Sequence, residues 1–231
     1  GQRDFRADLR KEYVEGFRRF LAIGVREKEL QTLVEQTGVT AQHVADPTLL
    51  VDPSFWRRYV RTKKRGKRRV VVYFLSEDMV KICKDLSRFA HEHDCEIEVL
   101  VDTFLLSASK SVRRVIDIWK FKLENFLGPL RMRLAAGPRE FVSLVANADV
   151  VVSNSFHALM FSTIFRRDVR VVVPNDEGRK GMSARVEEFA NGMIKGPLLQ
   201  GSLESALKSI CTNEHVVYDE EGLEALRASS R

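Results

Sequence analysis

No apolar stretch in this 231-residue chain approaches the roughly eighteen residues that span a bilayer. No signal-peptide pattern is visible, and a start at Gly1 without an initiator methionine reads as that of a fragment whose true N-terminus is expected to lie upstream. A soluble, cytoplasmic protein is therefore expected. Cysteine is scarce. Cys83, Cys95 and Cys211 form no CxxC pair and stand in no zinc spacing with histidine. A disulfide framework and a structural zinc site are thus not expected, and reduced thiols are, with Cys83 and Cys95 buried beside apolar segments. There is no internal repeat, no low-complexity region and no compact carboxylate cluster, so no metal is expected. What the chain does have is 44% hydrophobic and 30% charged residues, enough for one large domain or two small ones.

Positive charge is concentrated. The segment RRYVRTKKRGKRR, residues 57–69, holds nine basic residues and no acidic one; without it the net charge of +6 becomes −3. The block reads in two ways. It attracts phosphates, acidic glycans or an anionic membrane face, or it is a solvated linker before a strand. Tyr59 is its only aromatic residue for stacking bases and no recognition helix is apparent, so nucleic acid is not an expected partner.

Along the chain, Leu9, Tyr13, Phe17 and Phe20 are spaced for a helix over 6–20. LAIGV (21–25) reads as a short buried strand. A second helix over 26–38 is closed by Gly38. Two Asp-Pro pairs in 41–53 disfavour helix and mark turns. A small first unit (1–52) and the basic linker (53–69) thus precede a larger unit in which strands and helices alternate.

Strands are predicted over 68–75, 95–102, 149–153 and 168–174. Helices are predicted over 76–93, 107–136, 137–148 and 155–166, from Ser183, and over 202–212 and 219–229. This order predicts an α/β fold, a Rossmann-like doubly wound parallel sheet over 70–200, followed by C-terminal helices over 201–231.

Ligands in such sheets bind at the carboxyl ends of the strands. Three turns fall there: Ser76-Glu77, Ser153–His157 and Pro174–Met182. In VVSNSFHALMFSTIF (151–165) a strand turns within two residues into a helix, whose first N–H groups favour an anion by about 0.3–2 kcal/mol. Asn154 and Ser155 can cap the helix or donate to a ligand. His157 can bind a phosphate or carboxylate, or transfer a proton. Equally, His157 can pack against Phe161 in an otherwise apolar helix. Arg179, Lys180 and Arg185, in and after a loop with two glycines, are either anion contacts or surface charges. Arg26 either reaches a ligand or pairs with Glu27 or Glu29.

Taken in order, FLAIGVRE, VADPTLLVDPSFW, VVVYFLS, GPREFVSLVANADVVVSNSFHALMFSTIF and MSARVEEF resemble the polysaccharide pyruvyl transferase family, from about residue 5 to 192. That family's pattern has a Ser-Val-Arg-Glu element, an Asp-Pro-Thr-Leu-Leu element and a strand ending in Ser-Phe-His-Gly. This chain has Ala158 in place of the last glycine.

The resemblance implies a glycosyltransferase-B-like architecture with an incomplete N-terminal domain, residues 1–52 being its tail. Such a tail is expected to be loosely held or to pair with a second copy as a homo-oligomer. The implied reaction moves the pyruvyl group of phosphoenolpyruvate onto a sugar of a polysaccharide or its lipid-linked precursor, without a cofactor. On this basis His157 is acid/base or phosphate ligand and Arg26 a catalytic cation. Asn154, Ser155, Ser76, Arg179, Lys180 and Arg185 then contact substrate. The basic block is expected to tether the enzyme to the inner membrane face. The alternatives are a nucleotide-sugar glycosyltransferase of the same architecture and a non-catalytic basic binding module.

Overall fold

The computed structural model describes residues 10–62, 66–75, 79–101, 116, 119–123, 128–134, 136–173 and 180–230. Two compact units divide the chain. One is drawn from residues 1–52, 175–195 and 218–231, and the other from 53–174 and 196–217.

The first unit begins with α1 (Arg10–Phe17), β1 (Gly24–Val25), α2 (Lys28–Glu35), β2 (Gln42–His43) and α3 (Pro47–Leu50). β1 and β2 pair in parallel, with Gly24 opposite Gln42 and Val25 opposite His43. Strand LAIGV is thus shorter than its apolar run suggests, and β2 lies where turns were expected. Gly38 takes φ +79°, a conformation glycine adopts at low cost, and its N–H closes on Glu35 O at 2.9 Å. The Asp-Pro pairs do not exclude helix as expected. Asp46 caps α3 and Pro47 opens it, because proline at the first helical position gives up an N–H that has no partner anyway. Pro53 likewise opens α4 (Pro53–Arg57), the first element of the second unit.

The second unit continues with β3 (Arg68–Tyr73), α5 (Met79–Glu92), β4 (Cys95–Leu100), β5 (Leu130–Arg133), α6 (Pro138–Ala146), β6 (Val150–Ser153), α7 (Phe156–Phe165) and β7 (Asp168–Val172). The chain then enters α8 (Lys180–Met193) of the first unit. It returns for β8 (Leu199–Gln200) and α9 (Leu203–Ser209), and ends in α10 (Glu220–Ser229) of the first unit. Sequence patterning assigned 175–200 to the sheet domain and 201–231 to separate helices; here α8 and α10 pack with residues 1–52.

Six strands form one parallel sheet in the order β5-β4-β3-β6-β7-β8. β3 pairs with β4 on one side and β6 on the other. On one face Val70, Val72, Ile97, Val99, Val150 and Val152 share a core with Cys83 and Leu86 of α5 and Leu207 and Ile210 of α9. Alternate residues Val71, Val151 and Val171 turn to the opposite face. They too are buried, and α7 lies against β6 and β7. Burial on both faces explains why these strands read as continuous apolar runs. The sheet is the Rossmann-like doubly wound one expected from the strand–helix alternation.

β5 and β8 depart from the sequence reading. LRMR falls inside the stretch expected to be helical, 107–136, of which residues 116 and 119–123 are helical. Leu130 and Met132 are buried while Arg131 is exposed, so an edge strand is written in only four residues. In the basic block, Arg61 N–H donates to Ser143 Oγ at 2.9 Å and Arg69 N–H to Asp149 Oδ2 at 2.7 Å. These ends are packed onto the second unit.

Candidate active site

The strand order fixes where a ligand site belongs. From β3 the chain winds outward through β4 and β5, then returns to β6 on the other side of β3. The crevice beyond the carboxyl ends of β3 and β6 is therefore the topological switch point. Tyr73 is opposite Ser153, so both strands end level.

The turn after β6 is tied to the turn after β3 by its own side chains. Ser153 Oγ donates to Tyr73 O and accepts the Ser155 N–H at 3.0 Å. Asn154 Oδ1 accepts the Leu75 N–H at 2.8 Å, and Asn154 Nδ2 faces Leu75 O at 3.4 Å. Both residues are buried. Their polar atoms serve the strand ends, and this sets Ser155 at the head of α7.

Ser155 is the N-cap of α7, with φ −97° and ψ 128°, yet its side chain accepts no cap hydrogen bond. It is 4% exposed, and among the described residues its Oγ has no partner. The first N–H groups of a helix have no intrahelical acceptor. A helix end carrying partial positive charge therefore adjoins a serine hydroxyl that makes no cap hydrogen bond. His157, in the same first turn, is exposed. Its ring lies 6.4 Å from that of Phe156, while the Phe161 ring contacts Trp56 at 5.0 Å, Phe141 at 5.7 Å and Phe165 at 6.5 Å. Those rings hold α7 in place, and Tyr73 joins them through Phe141 at 5.4 Å. Ala158 is fully buried in the same helix. Ser76 lies outside the described residues.

A second polar group belongs to the first unit. Arg26 follows β1 and donates from Nη1 to Asp46 Oδ2 at 2.5 Å, rather than pairing with Glu27 or Glu29. Asp46 Oδ1 accepts the Thr48 N–H at 2.9 Å and the Thr48 hydroxyl at 2.6 Å. Burial alone would push the Asp46 carboxyl up. The bonds from Thr48 and Arg26 outweigh it and hold the group below the usual carboxylate range. Glu27 instead faces Arg185 at 3.1 Å, so this arginine has a carboxylate partner. Glu188 accepts the Lys28 N–H at 3.2 Å. Arg179 and the Lys180 side chain lie outside the described residues.

Two further charged groups escaped the sequence reading. Glu98, 2% exposed, is held by Arg133 through Nε at 2.7 Å and Nη2 at 3.2 Å. Arg170 is fully buried and bonds Asp168, Ser209 and Glu214 O. A charged residue at alternate positions of a strand was their only signal, and it does not distinguish a buried pair from a solvated edge. Among the described residues no group of three or more His, Cys, Asp or Glu side chains is placed to hold a metal ion, and no helix is long and apolar enough to cross a membrane. A groove of about 710 Å³ lies between α5 and α9, along helix flanks and away from the strand ends.

A family model for polysaccharide pyruvyl transferase matches residues 1–176. No curated protein matches the sequence. Among solved structures, Methanocaldococcus jannaschii UDP-GlcNAc 2-epimerase in complex with UDP-GlcNAc and UDP is similar with a TM-score of 0.53 at 13% identity, covering 90% of this chain and 60% of that one. The N-terminal domain of Candida albicans trehalose-6-phosphate phosphatase is similar with a TM-score of 0.52 at 7% identity, covering 96% of this chain and 56% of that one. At these identities the likeness is one of fold, and it places the chain with glycosyltransferase-B-like α/β proteins. The chain spans less than two thirds of the length of either.

Proposed function

The chain belongs to the polysaccharide pyruvyl transferase family, and from that premise we propose that it moves the pyruvyl group of phosphoenolpyruvate onto two hydroxyls of one sugar, forming a ketal and releasing phosphate. The acceptor is a polysaccharide or its lipid-linked precursor. The observation that carries this reading is the start of α7 at the switch point, where the Ser155 side chain makes no cap hydrogen bond and His157 is exposed in the same turn.

The chemistry suits those groups. The donor carries a phosphate and a carboxylate, and a helix N-terminus with a serine hydroxyl supplies oriented donors for one of them. In the first step the enol methylene carbon takes a proton and a sugar oxygen bonds to the adjacent carbon, losing its own proton. In the second, a neighbouring hydroxyl bonds to the same carbon and loses its proton while the carbon–oxygen bond to phosphate breaks, and the departing phosphate takes up that proton. An imidazole exchanges protons near neutral pH, so His157 is assigned the proton transfer. Donors at the helix end stabilise the departing phosphate. Arg26 of the first unit is assigned as a cation for an anionic substrate group, and Ser76, Arg179 and Lys180 are assigned as further substrate contacts. Asn154 holds the turn, and Arg185 acts through Glu27.

Calorimetry with phosphoenolpyruvate, followed by single-turnover transfer, tests this. His157→Ala is expected to lower the transfer rate by about 10²–10⁴-fold. His157→Gln keeps a hydrogen bond and is expected to bind the donor better than it turns it over. A folded His157→Ala protein with normal affinity and rate sinks the assignment. Tight binding of UDP-GlcNAc with no binding of phosphoenolpyruvate moves the site to nucleotide-sugar transfer instead.

A further inference from the structure

We infer that Asp46 is a positioning residue for Arg26, and that this bond is the physical link between the Val-Arg-Glu and Asp-Pro-Thr segments, 20 residues apart in sequence. The inference rests on the reading of Arg26 as an anion contact.

β1 and β2 are parallel neighbours in register, so the residues that follow them leave the same edge of the small sheet. Arg26 is the first residue after β1, and Asp46 begins the helix after β2. The backbone on both sides of Arg26 is anchored. Val44 N–H donates to Val25 O at 2.8 Å, the His43 ring lies 3.3 Å from Arg26 O, and Lys28 N–H is held by Glu188. What remains free is the arginine side chain, a long one with many rotamers.

Asp46 fixes that side chain, and its two oxygens divide the work. Oδ1 is held by the N–H and hydroxyl of Thr48, which orients the carboxylate without help from Arg26. Oδ2 then presents a fixed acceptor to Nη1. The exposures are unequal: the Asp46 side chain is 3% exposed and the Arg26 side chain 37%. A surface ion pair between two mobile chains contributes little and orients nothing. Here a buried, pre-oriented carboxylate grips one end of a guanidinium. The Arg26 side chain stays 37% exposed, and a planar guanidinium held through one nitrogen has fewer directions in which to present the others.

A double-mutant cycle tests this in the intact chain, with phosphoenolpyruvate affinity by calorimetry and thermal midpoint as readouts. Asp46→Asn keeps an oxygen for the Thr48 cap but loses the charge that holds Arg26. It is expected to weaken donor binding about 10-fold in the native background and to have no further effect on Arg26→Ala. Thr48→Val, which frees one side of the carboxylate while leaving Arg26 and Asp46 intact, is expected to act in the same direction by about 3-fold and likewise only when Arg26 is present. A purely structural role shifts the thermal midpoint equally in both backgrounds and leaves donor affinity alone. Asp46→Asn and Thr48→Val effects that persist undiminished in Arg26→Ala, or unchanged donor affinity in both variants, overturn the inference while leaving Arg26 as a contact. Unchanged affinity in Arg26→Ala itself overturns that contact, and the inference with it.

Discussion

Single residues acquire their chemistry from what surrounds them, and the three thiols show how far. Cys83 is fully buried, and burial pushes its pKa up to about 12. Cys95 is 2% exposed and its pKa is also raised by burial. Cys211 is exposed, beside His93 at 3.7 Å. Since the thiolate is the nucleophile, iodoacetamide at pH 8 is expected to label Cys211 in the native protein and to reach Cys83 and Cys95 only after denaturation. Peptide mass mapping checks this, and native labelling of Cys83 would show that its helix opens readily. The same contrast governs the switch point. Asn154 and Ser155 are adjacent, small and polar, and nothing in the sequence separates them. Only the bonds to Leu75 show that Asn154 is committed to the strand ends, while the Ser155 side chain makes no cap hydrogen bond. His157 was legible as a titratable residue in a first turn. Its exposure was not, because a helix apolar on nearly every side does not reveal which side its neighbours leave open.

At the scale of elements, β7 is tied to α9 by a charge. Arg170 is fully buried, donating to Asp168 at 2.5 Å, to Ser209 Oγ at 2.7 Å and to Glu214 O at 2.9 Å. His215 and the Val216 N–H complete the shell around Asp168. Removing one member leaves a buried carboxylate without its cation, which costs about 3–5 kcal/mol. Arg170→Met is therefore expected to lower the urea midpoint well beyond any exposed substitution such as Arg88→Met. A midpoint within error of the native protein would mean that packing alone holds α9 on the sheet. Strand DVRVV was legible from its apolar positions, but its arginine was not readable as core. A buried arginine needs carboxylate and carbonyl partners from sequence-distant segments, here residues 209 and 214. The short strands β2, β5 and β8 were illegible for a related reason. Two to four residues carry too little periodicity, and pairing with a neighbour decides them.

Across the whole molecule, two largely buried carboxylates among the described residues are held below their ordinary range: Asp46 in the first unit and Asp168 in the second. Burial opposes the charge in both, and hydrogen bonds outweigh it. For Asp46 the main bonds come from Thr48. For Asp168 they come from Arg170, His215 and Val216. A carboxyl whose folded pKa is depressed stabilises the fold above its unfolded pKa, about 3.8–3.9, and that contribution is lost as pH falls through the folded value. Thermal midpoints are therefore expected to hold from pH 7 to 5 and to fall below pH 4. Asp168→Asn should have a lower midpoint at pH 7 and a flatter acid limb. An acid limb unchanged in that variant would place the acid sensitivity elsewhere.

By itself the sequence determined the sheet and the position of the turn. Continuous valine runs specify strands buried on both faces, and their alternation with amphipathic helices specifies a parallel, doubly wound order, since parallel neighbours need a crossover helix. The order of the segments likewise carried the family, because such motifs are strings of neighbouring residues. Tertiary structure alone decided which distant residues meet. Arg26 took Asp46 rather than its sequence neighbours Glu27 and Glu29, Arg185 took Glu27, and α8 and α10 joined residues 1–52. Local pattern cannot encode such choices. A charged side chain reaches any partner that folding brings within a few ångströms, and an amphipathic helix fits any complementary apolar face.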